Sequence, residues 1–287
     1  MLYDINEVVA IVITYNPKKE MLENFKTYLD SVSILYIVDN SDDIVNREWI
    51  FEFCKKNRAI YISNCGNKGI AYSLNYIINI INNKWLLTMD QDSSFLNGKA
   101  TEFIHQALYH NRLDSKDNIF AYSAHNVPEY AKPSGLWYED KYAITSGCLL
   151  NTRKAKEVGL FDEALFIDEV DFEFCWRCRK IGYKVLKYNK NIIKHTIGEV
   201  SANRFFAKKM NFENSFRYEY IFRNIFYEVN KHPDMIVDRG CYLVKVLLKN
   251  MIFNNRRFDV LKALVKGIEL FIFNSMGKIR KDVDMSR

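Results

Sequence analysis

The sequence lacks the features that would assign it to several large protein classes. It contains no run of about 18 uncharged apolar residues, so we expect no transmembrane helix. Its first residues, Met1 to Glu7, carry acids where a secretory signal needs bases, and the apolar run Val8 to Ile13 is too short for a signal core. We therefore expect a cytoplasmic protein. No G-x-G-x-x-G follows that first apolar run, which argues against a dinucleotide-binding fingerprint.

Patterns typical of zinc sites and of nucleic-acid binding are also missing. The chain has six cysteines, and the lone Cys175-x-x-Cys178 pair lacks the second pair that a zinc site needs. In a reducing compartment all six should be free thiols, and we interpret them as core residues. No recognised nucleic-acid-binding motif occurs.

Positive charge is concentrated near the end of the chain. The 287 residues carry a formal net charge of +6, whereas the segment from Gly240 to Lys281 alone has nine Lys or Arg against two acids. The residues before Gly240 are therefore close to neutral, and the basic tail is expected to be a separate module. Over all 287 residues 48% are hydrophobic, so the chain can bury a sizeable core.

One stretch, Trp85 to Ser93, organises the candidate chemistry. Its apolar residues stop at two acids, Asp90 and Asp92, with Gln91 between them. Buried parallel strands are near-continuous apolar runs, and ligands of open α/β sheets bind beyond the carboxyl ends of such strands. Two hard oxygen ligands there suit Mg²⁺ or Mn²⁺ bound to a diphosphate. Alternatively, the acids form an ordinary turn that caps the next helix.

Apolar strands alternate with helical spacing up to this stretch. Strands are predicted at Val8 to Ile13, Ile34 to Val38, Ala59 to Ile62 and from Trp85, with helices between them. This order predicts an α/β fold with a mostly parallel sheet and helices on both faces. Polar residues follow strands one, two and four, as a nucleotide pocket at the sheet edge requires. They are Thr14, Asn16, Asp39, Asn40, Asp90 and Asp92.

A second group of acids lies further along the chain. A strand predicted from Ala143 to Leu150 contains a Ser-Gly step where backbone could approach a ligand closely. Four acids then fall close together, and their mutual repulsion indicates a candidate general base. They are Asp168, Glu169, Asp171 and Glu173. Glu173 and Arg177, four residues apart, are expected to form an ion pair on a helix surface.

These residues, in this order and spacing, resemble a family 2 glycosyltransferase of the GT-A fold, and within it the bacterial rhamnosyltransferases that build O-antigen and other surface polysaccharides. The matching pieces cover residues 8 to about 225 and are Ala10 to Asn16, Val38 to Ser41, Asn67 to Ala71 with Asn75, Asp90 to Ser93, Ser146-Gly147, Phe166 to Glu173 with Arg177, His195 to Gly198, and Arg217 to Tyr220 with Arg223-Asn224. One departure is Val170, which stands where the wider family has Glu. The rhamnosyltransferase-like members share this variant, and it leaves Asp171 as the matching base.

The resemblance implies an inverting sugar transfer by single displacement. In that reaction Asp171 is the catalytic base, which takes the proton from the acceptor hydroxyl. Asp90 and Asp92 would bind the Mg²⁺ or Mn²⁺ cofactor. His195 would join them because two carboxylates need a third ligand; the alternative is a structural histidine, which is the commoner role of a lone histidine. Nine matched residues, Asp90 again among them, would bind the nucleotide sugar. They are Thr14, Tyr15, Asn16, Asp39, Asn67, Gly69, Ala71, Asp90 and Arg223.

The resemblance also favours particular substrates. The favoured donor is dTDP-rhamnose, with UDP-galactose or UDP-glucose as the alternative, and the expected acceptor is a lipid-linked oligosaccharide. A sugar nucleotidyltransferase shares the fold but needs a Gly-rich loop after its first strand, and Thr14 to Lys19 contains no glycine. A non-catalytic sugar-binding protein would lose the acids, all of which are present.

Two domains are predicted, a catalytic domain of residues 1–225 and a basic, helical segment of residues 226–287. In the segment, apolar residues recur at helical spacing from Leu243 to Phe253 and from Leu261 to Ile272. Apolar helix faces flanked by lysine can lie in a membrane interface, which predicts peripheral attachment at the inner face of the cell membrane. Alternatively, the helices pack on the catalytic domain or on a second subunit, which would give a homodimer.

Overall fold

The computed structural model describes residues 4–124, 135–195, 199–202, 209–212 and 215–279. The chain divides into two compact units, one of Met1–Asp162 with Asp171–Thr196 and one of Glu163–Val170 with Ile197–Arg287. This partition differs from the domains 1–225 and 226–287, which remain a prediction.

The first unit begins with the predicted alternation of strands and helices. The elements are β1 (Val8–Thr14), α1 (Leu22–Leu29), β2 (Leu35–Asp39), α2 (Ile44–Lys56), β3 (Ala59–Ser63), α3 (Ile70–Ile80) and β4 (Trp85–Asp90). β1 pairs in parallel with β2 and β4, and β2 pairs in parallel with β3. Apart from the partly buried Ile13, the apolar residues of β1 and β4 are buried because helices cover the sheet.

The second half of this unit makes the sheet mixed. Its elements are β5 (Ser93–Phe95), α4 (Lys99–Leu113), β6 (Ile119–Ser123), β7 (Trp137–Asp140), β8 (Cys148–Asn151), α5 (Thr152–Val158), α6 (Val170–Lys180), β9 (Lys184–Tyr188) and β10 (Ile193–His195). The eight-stranded sheet has the order β3-β2-β1-β4-β8-β6-β9-β7, with β8 antiparallel to β4 and β6. β5 and β10 form a separate antiparallel pair. The prediction of an α/β fold with a mostly parallel sheet is confirmed.

Strand β8 is shorter than predicted. Gly147 has a φ of 71°, outside the β region, so the strand begins at Cys148 and not at Ala143. A Cβ at Gly147 would lie 2.1 Å from Ile193 Cδ1. The Ile193 side chain therefore lies against Gly147, and the approach of a ligand to the Ser-Gly step remains a prediction.

The cysteines are all free thiols, as predicted. Four of them are buried, whereas Cys65 and Cys241 are exposed, so the interpretation as core residues is wrong for these two. Burial raises the pKa of Cys175 to about 12, which keeps this thiol protonated and unreactive.

The second unit is mainly helical. It contains the strand pair β11 (Glu199–Ala202) and β12 (Lys209–Phe212), followed by α7 (Ser215–Lys231), α8 (Ile236–Phe253) and α9 (Arg257–Ile272). α7 and α9 cross closely at Gly267, where a Cβ would lie 2.8 Å from Phe222 Cβ and 2.9 Å from the backbone nitrogen of Arg223. Val260, Ala263 and Leu270 bury the same face of α9. Among the described residues, no helix is both long and apolar enough to cross a membrane.

Candidate active site

The carboxyl ends of β1, β2 and β4 lie side by side in the first unit. Thr14 is opposite Asp39 in the β1–β2 register, and Ile13 is opposite Asp90 in the β1–β4 register. Because parallel strands end at the same sheet edge, the polar residues that follow them are brought together. This juxtaposition is the one that the sequence pattern predicts.

Asp39 organises this edge from a buried position. It is only 1% exposed, and its carboxylate accepts hydrogen bonds from Thr14 Oγ1 at 3.1 Å, the Ser41 backbone at 2.9 Å and the Tyr61 hydroxyl at 2.9 Å. Burial, together with the hydrogen bond to Asp39, raises the pKa of Tyr61 to about 12. The phenol therefore stays protonated as a donor, and Asp39 and Thr14 hold the loops in place.

The loop after β1 is joined to the loops after β2 and β4. The Tyr15 backbone donates to Gln91 Oε1 at 2.9 Å, and Gln91 Nε2 donates back to the Tyr15 carbonyl at 3.3 Å. Asn16 Oδ1 accepts from the backbone amides of Asp42 and Asp43, each at 3.2 Å. Tyr15 and Asn16 are both exposed. The Tyr15 hydroxyl donates to Asp42 Oδ2 at 3.0 Å, so both residues are held by hydrogen bonds although they remain exposed.

A further loop, from Asn64 to Gly69, is attached to the end of β2. Asn40 Oδ1 accepts from Asn64 Nδ2 at 2.8 Å and from the Lys68 backbone at 3.2 Å. Asn67 Oδ1 accepts from the Gly69 backbone at 3.0 Å. Gly69 has a φ of 88° and precedes α3, and this conformation favours glycine. Ala71 is buried in the first turn of that helix.

The candidate metal ligands are carried by β4 and β10. Asp90 ends β4, Asp92 follows two residues later, and both side chains are partly exposed. The backbone of His195 pairs with Ser93, the residue after Asp92, although the His195 side chain lies outside the described residues. Over the described side chains, no three His, Cys, Asp or Glu form a cluster suited to a metal. Two carboxylates that precede Ser93, the residue paired with His195, nevertheless fit Mg²⁺ or Mn²⁺ in the chemistry of their donor atoms.

Asp171 occupies the first turn of α6. Its Oδ2 accepts a hydrogen bond from the backbone amide of Thr145 at 3.0 Å, and the side chain is partly exposed. It lines a small, mainly apolar cleft with Thr88, Cys148 and Phe174, among others. A carboxylate that is held in one orientation and still reaches solvent is suited to accept a proton.

The three acids near Asp171 have arginine partners. Asp168 binds Arg217 through both carboxylate oxygens at 2.8 to 3.0 Å, and Glu169 binds the buried Arg239. Glu173 pairs with Arg177 at 2.8 Å, as predicted, but it is fully buried and not on the helix surface. The surface prediction is wrong because α6 packs Glu173 inward.

A model of the glycosyl transferase family 2 matches residues 9–153, half of the chain. The chain belongs to this family. A dTDP-rhamnosyl transferase of Shigella flexneri, RfbF, is 27% identical to this glycosyltransferase over 217 residues, which cover 69% of this chain and 71% of that protein.

Solved structures show the same fold. The mannosyltransferase PcManGT of Pyrobaculum calidifontis, in complex with GDP-Man and Mn²⁺, superposes with a TM-score of 0.58 at 13% identity, over 94% of this chain and 79% of that one. The GalNAc-T7 structure with UDP, GalNAc and Mn²⁺ gives 0.53 at 12% identity over 66% of this chain. This chain covers 43% of that neighbour. The family 2 enzyme thus has a GT-A-like fold.

Arg223 is a correction to the predicted donor site of this glycosyltransferase. It is fully buried in the second unit, and its guanidinium donates to Asn224 Oδ1 and to the carbonyls of Leu165, Ser275 and Gly277. These contacts use all five guanidinium donors, so none is left for a phosphate. Arg223 therefore connects Leu165, in the loop before α6, to Ser275 and Gly277 in the segment after α9.

Several residues of this candidate site were not predicted from the sequence. Tyr61 and Ser41 bind Asp39, Gln91 joins two loops, and Thr88 and Thr145 lie beside Asp171. Thr88 had a detectable signal, because it is the one polar residue within the apolar run of β4 before Asp90. No local pattern indicated Thr145, since its contact with Asp171 depends on the fold.

Proposed function

We propose that this glycosyltransferase moves L-rhamnose from dTDP-rhamnose, with inversion, to a hydroxyl of a lipid-linked glycan acceptor in surface polysaccharide synthesis. The observation that carries the inverting chemistry is the partly exposed Asp171, held by the Thr145 amide in the same unit as the strand-end acids. The rhamnose donor is supported by the 27% identity to a dTDP-rhamnosyl transferase.

In the proposed reaction, Asp171 accepts the proton of the acceptor hydroxyl. The hydroxyl oxygen forms a bond to the anomeric carbon as the bond from that carbon to the diphosphate oxygen breaks. The electron pair of the broken bond leaves with the nucleoside diphosphate. Because the attack comes from the face opposite the leaving group, the configuration is inverted.

The donor would be bound at the sheet edge. Tyr15 and Asn16 are exposed and can contact the nucleotide, whereas the buried Thr14 and Asp39 keep their loop in position. Asn67, Gly69 and Ala71 would line the start of α3, where backbone amides favour an anionic group. Arg223 has no part in this proposal.

Asp90, Asp92 and His195 would hold Mg²⁺ or Mn²⁺. The metal, when bound, would neutralise charge on the departing diphosphate. Asp90 and Asp92 reach this position because β4 ends at the sheet edge, and the pairing of β10 with β5 brings the His195 backbone opposite Ser93.

The tail helices support a peripheral contact with a membrane, where a lipid-linked acceptor would be presented. One face of α9 is buried in the second unit, but α8 and α9 also expose large apolar side chains. These are Val244, Leu248 and Ile252 of α8 and Phe258, Leu261, Val265 and Ile272 of α9. Lys245 and Lys262 are exposed beside them, a combination suited to an anionic membrane surface. A second copy of the chain is the alternative occupant of this surface.

The donor can be identified with the purified protein. We expect dTDP-rhamnose with Mn²⁺ to raise the melting temperature and to be hydrolysed slowly, because a ligand that binds only the folded state stabilises it. UDP-glucose, UDP-galactose and GDP-mannose are measured in parallel. If only a UDP-hexose stabilises the protein, that nucleotide sugar, and not dTDP-rhamnose, is the donor. If no nucleotide sugar has any effect, the proposed function fails.

A further inference from the structure

Thr88 is a polar residue at the centre of the sheet. It lies in β4, within the run Trp85-Leu86-Leu87-Thr88-Met89, and is only 2% exposed. A hydroxyl buried in such a strand needs a hydrogen-bond partner, because leaving it without one is unfavourable. Its side chain donates to the backbone carbonyl of Thr145, and the carbonyl of Cys148 lies at 3.2 Å.

Thr88 fixes the segment before β8 at two points. In addition to the hydroxyl contact with the Thr145 carbonyl, the Thr88 carbonyl accepts a hydrogen bond from the Gly147 backbone at 2.9 Å. The positive φ of Gly147 lets the chain turn between these two contacts. Residues 145–147 are therefore held against β4 although they are not part of a strand.

The same segment orients the proposed base. Thr145 accepts from Thr88 through its carbonyl and donates to Asp171 Oδ2 through its amide at 3.0 Å. If the Thr88 hydroxyl were lost, the Thr145 carbonyl would lose its partner and could turn towards another donor. The adjoining amide would then move, and with it the direction of the Asp171 carboxylate.

We propose that Thr88 is a positioning residue for sugar transfer, acting on Asp171 through the Thr145 backbone. The inference rests on the proposed role of Asp171 as the base. Reaction rates depend steeply on the geometry of the reacting groups, and small misplacements cost about 100-fold. Thr88 thus links β4, the strand that ends in Asp90, to the residue proposed to accept the proton.

The chain offers a matched control in Thr152. This residue is also buried, and its hydroxyl donates to the backbone carbonyls of Asn83 at 2.7 Å and Lys84 at 3.2 Å. It makes the same kind of contact, but at the other end of the β4–β8 pair, where β4 begins. Thr152→Val therefore reproduces the structural cost of losing a buried hydroxyl without touching Asp171.

The test compares Thr88→Val, Thr88→Ser and Thr152→Val in the full-length protein. We expect Thr88→Val to lower kcat by about 10- to 100-fold with the donor KM within about twofold, because the loss affects the transition state and not donor binding. Thr88→Ser, which keeps the hydroxyl, should restore most of the rate, and Thr152→Val should leave kcat near wild type. Melting temperatures establish that all three are folded.

Each other outcome contradicts the inference in a distinct way. An unchanged kcat for Thr88→Val, or equal losses for Thr88→Val and Thr152→Val, would reduce Thr88 to a structural residue. If Thr88→Val does not fold, a failure of Thr88→Ser to retain kcat would also overturn the inference. The variant Asp171→Asn distinguishes a failure of the inference about Thr88 from a failure of the proposed function. If that variant is fully active, the base assignment itself is wrong, whatever Thr88 does.

Discussion

The acids at the strand ends and the acids around the start of α6 look alike in the sequence but have different environments. Asp90 and Asp92 remain partly exposed where β4 ends. Of the second group, Asp168, Glu169 and Glu173 bind arginines, and Asp171 accepts a hydrogen bond from the Thr145 backbone amide. Charge density alone therefore does not identify a functional acid. The contacts that the fold gives each acid differ, and these contacts cannot be read from the sequence spacing.

The strand-end acids provide the strongest test of this comparison. If they hold the metal, EDTA should abolish transfer, and Asp92→Ala should remove the stabilisation of the protein by nucleotide sugar with Mn²⁺. Differential scanning fluorimetry and a transfer assay measure both effects. Asp30→Ala, which removes an exposed acid after α1, is the control and should behave as wild type. Full activity in chelator would refute a metal role for Asp90 and Asp92.

Among the acids around the start of α6, the same Asp→Asn change is expected to lower kcat by different amounts at Asp171 and Asp168. Asp171→Asn is nearly isosteric and should lower kcat by roughly 10² to 10⁴, with donor affinity within a few-fold, because only the proton acceptor is lost. Asp168→Asn keeps a polar partner for Arg217 and should have a far smaller effect on kcat. Steady-state kinetics of both variants decides the assignment. Normal turnover by Asp171→Asn with an inactive Asp168→Asn would transfer the role of base to Asp168.

Glu173 represents the structural acids and should affect stability. It is fully buried against Arg177, and removing one partner of a buried ion pair leaves an uncompensated charge. We expect Glu173→Ala to lower the free energy of unfolding by about 3 kcal/mol, visible as a melting temperature several degrees lower. Glu52→Ala breaks the exposed pair with Lys55 and should change stability by less than about 1 kcal/mol. Equal effects of the two changes would show that burial does not distinguish these pairs.

The sequence predicted the features that depend on local pattern. Continuous apolar runs predicted β1 to β4, and their ends predicted that the residues near Thr14, Asp39 and Asp90 would meet, because parallel strands share an edge. The sequence could not predict which acids of the second group form ion pairs with distant arginines. Arg217 lies 49 residues from Asp168, and Arg239 lies 70 residues from Glu169.

The error at Arg223 has the same cause. An arginine in an aromatic helix is compatible with phosphate binding as long as its neighbours are unknown. Its actual acceptors include the carbonyls of Ser275 and Gly277, 52 and 54 residues further along the chain. Contacts at such distances arise from tertiary packing, and no local spacing encodes them.

The basic residues of the second unit also differ in burial, and the exposed ones have the smallest expected effect. Arg223 and Arg239 are buried in contacts within the unit, whereas Lys245 and Lys262 are exposed next to apolar side chains of α8 and α9. Exposed lysines contribute about 1 kcal/mol each near an anionic membrane surface. Lys245→Glu with Lys262→Glu should therefore weaken binding to phosphatidylserine liposomes at low salt by at least about 30-fold, since about 2 kcal/mol is lost before the new negative charges act.

Sedimentation with the liposomes measures this binding, and Lys55→Glu with Lys56→Glu, a pair of exposed lysines at the end of α2, is the matched control. Point changes are preferable to deletion of the tail, because the buried face of α9 belongs to the core of the second unit with Phe222 and Ile225 of α7. If the wild-type protein does not sediment with liposomes but forms a dimer that Leu248→Glu with Val265→Glu dissociates, the apolar surface binds a second copy of the chain. In that case the lysines only keep the exposed surface soluble, and the acceptor would have to reach the enzyme by another route.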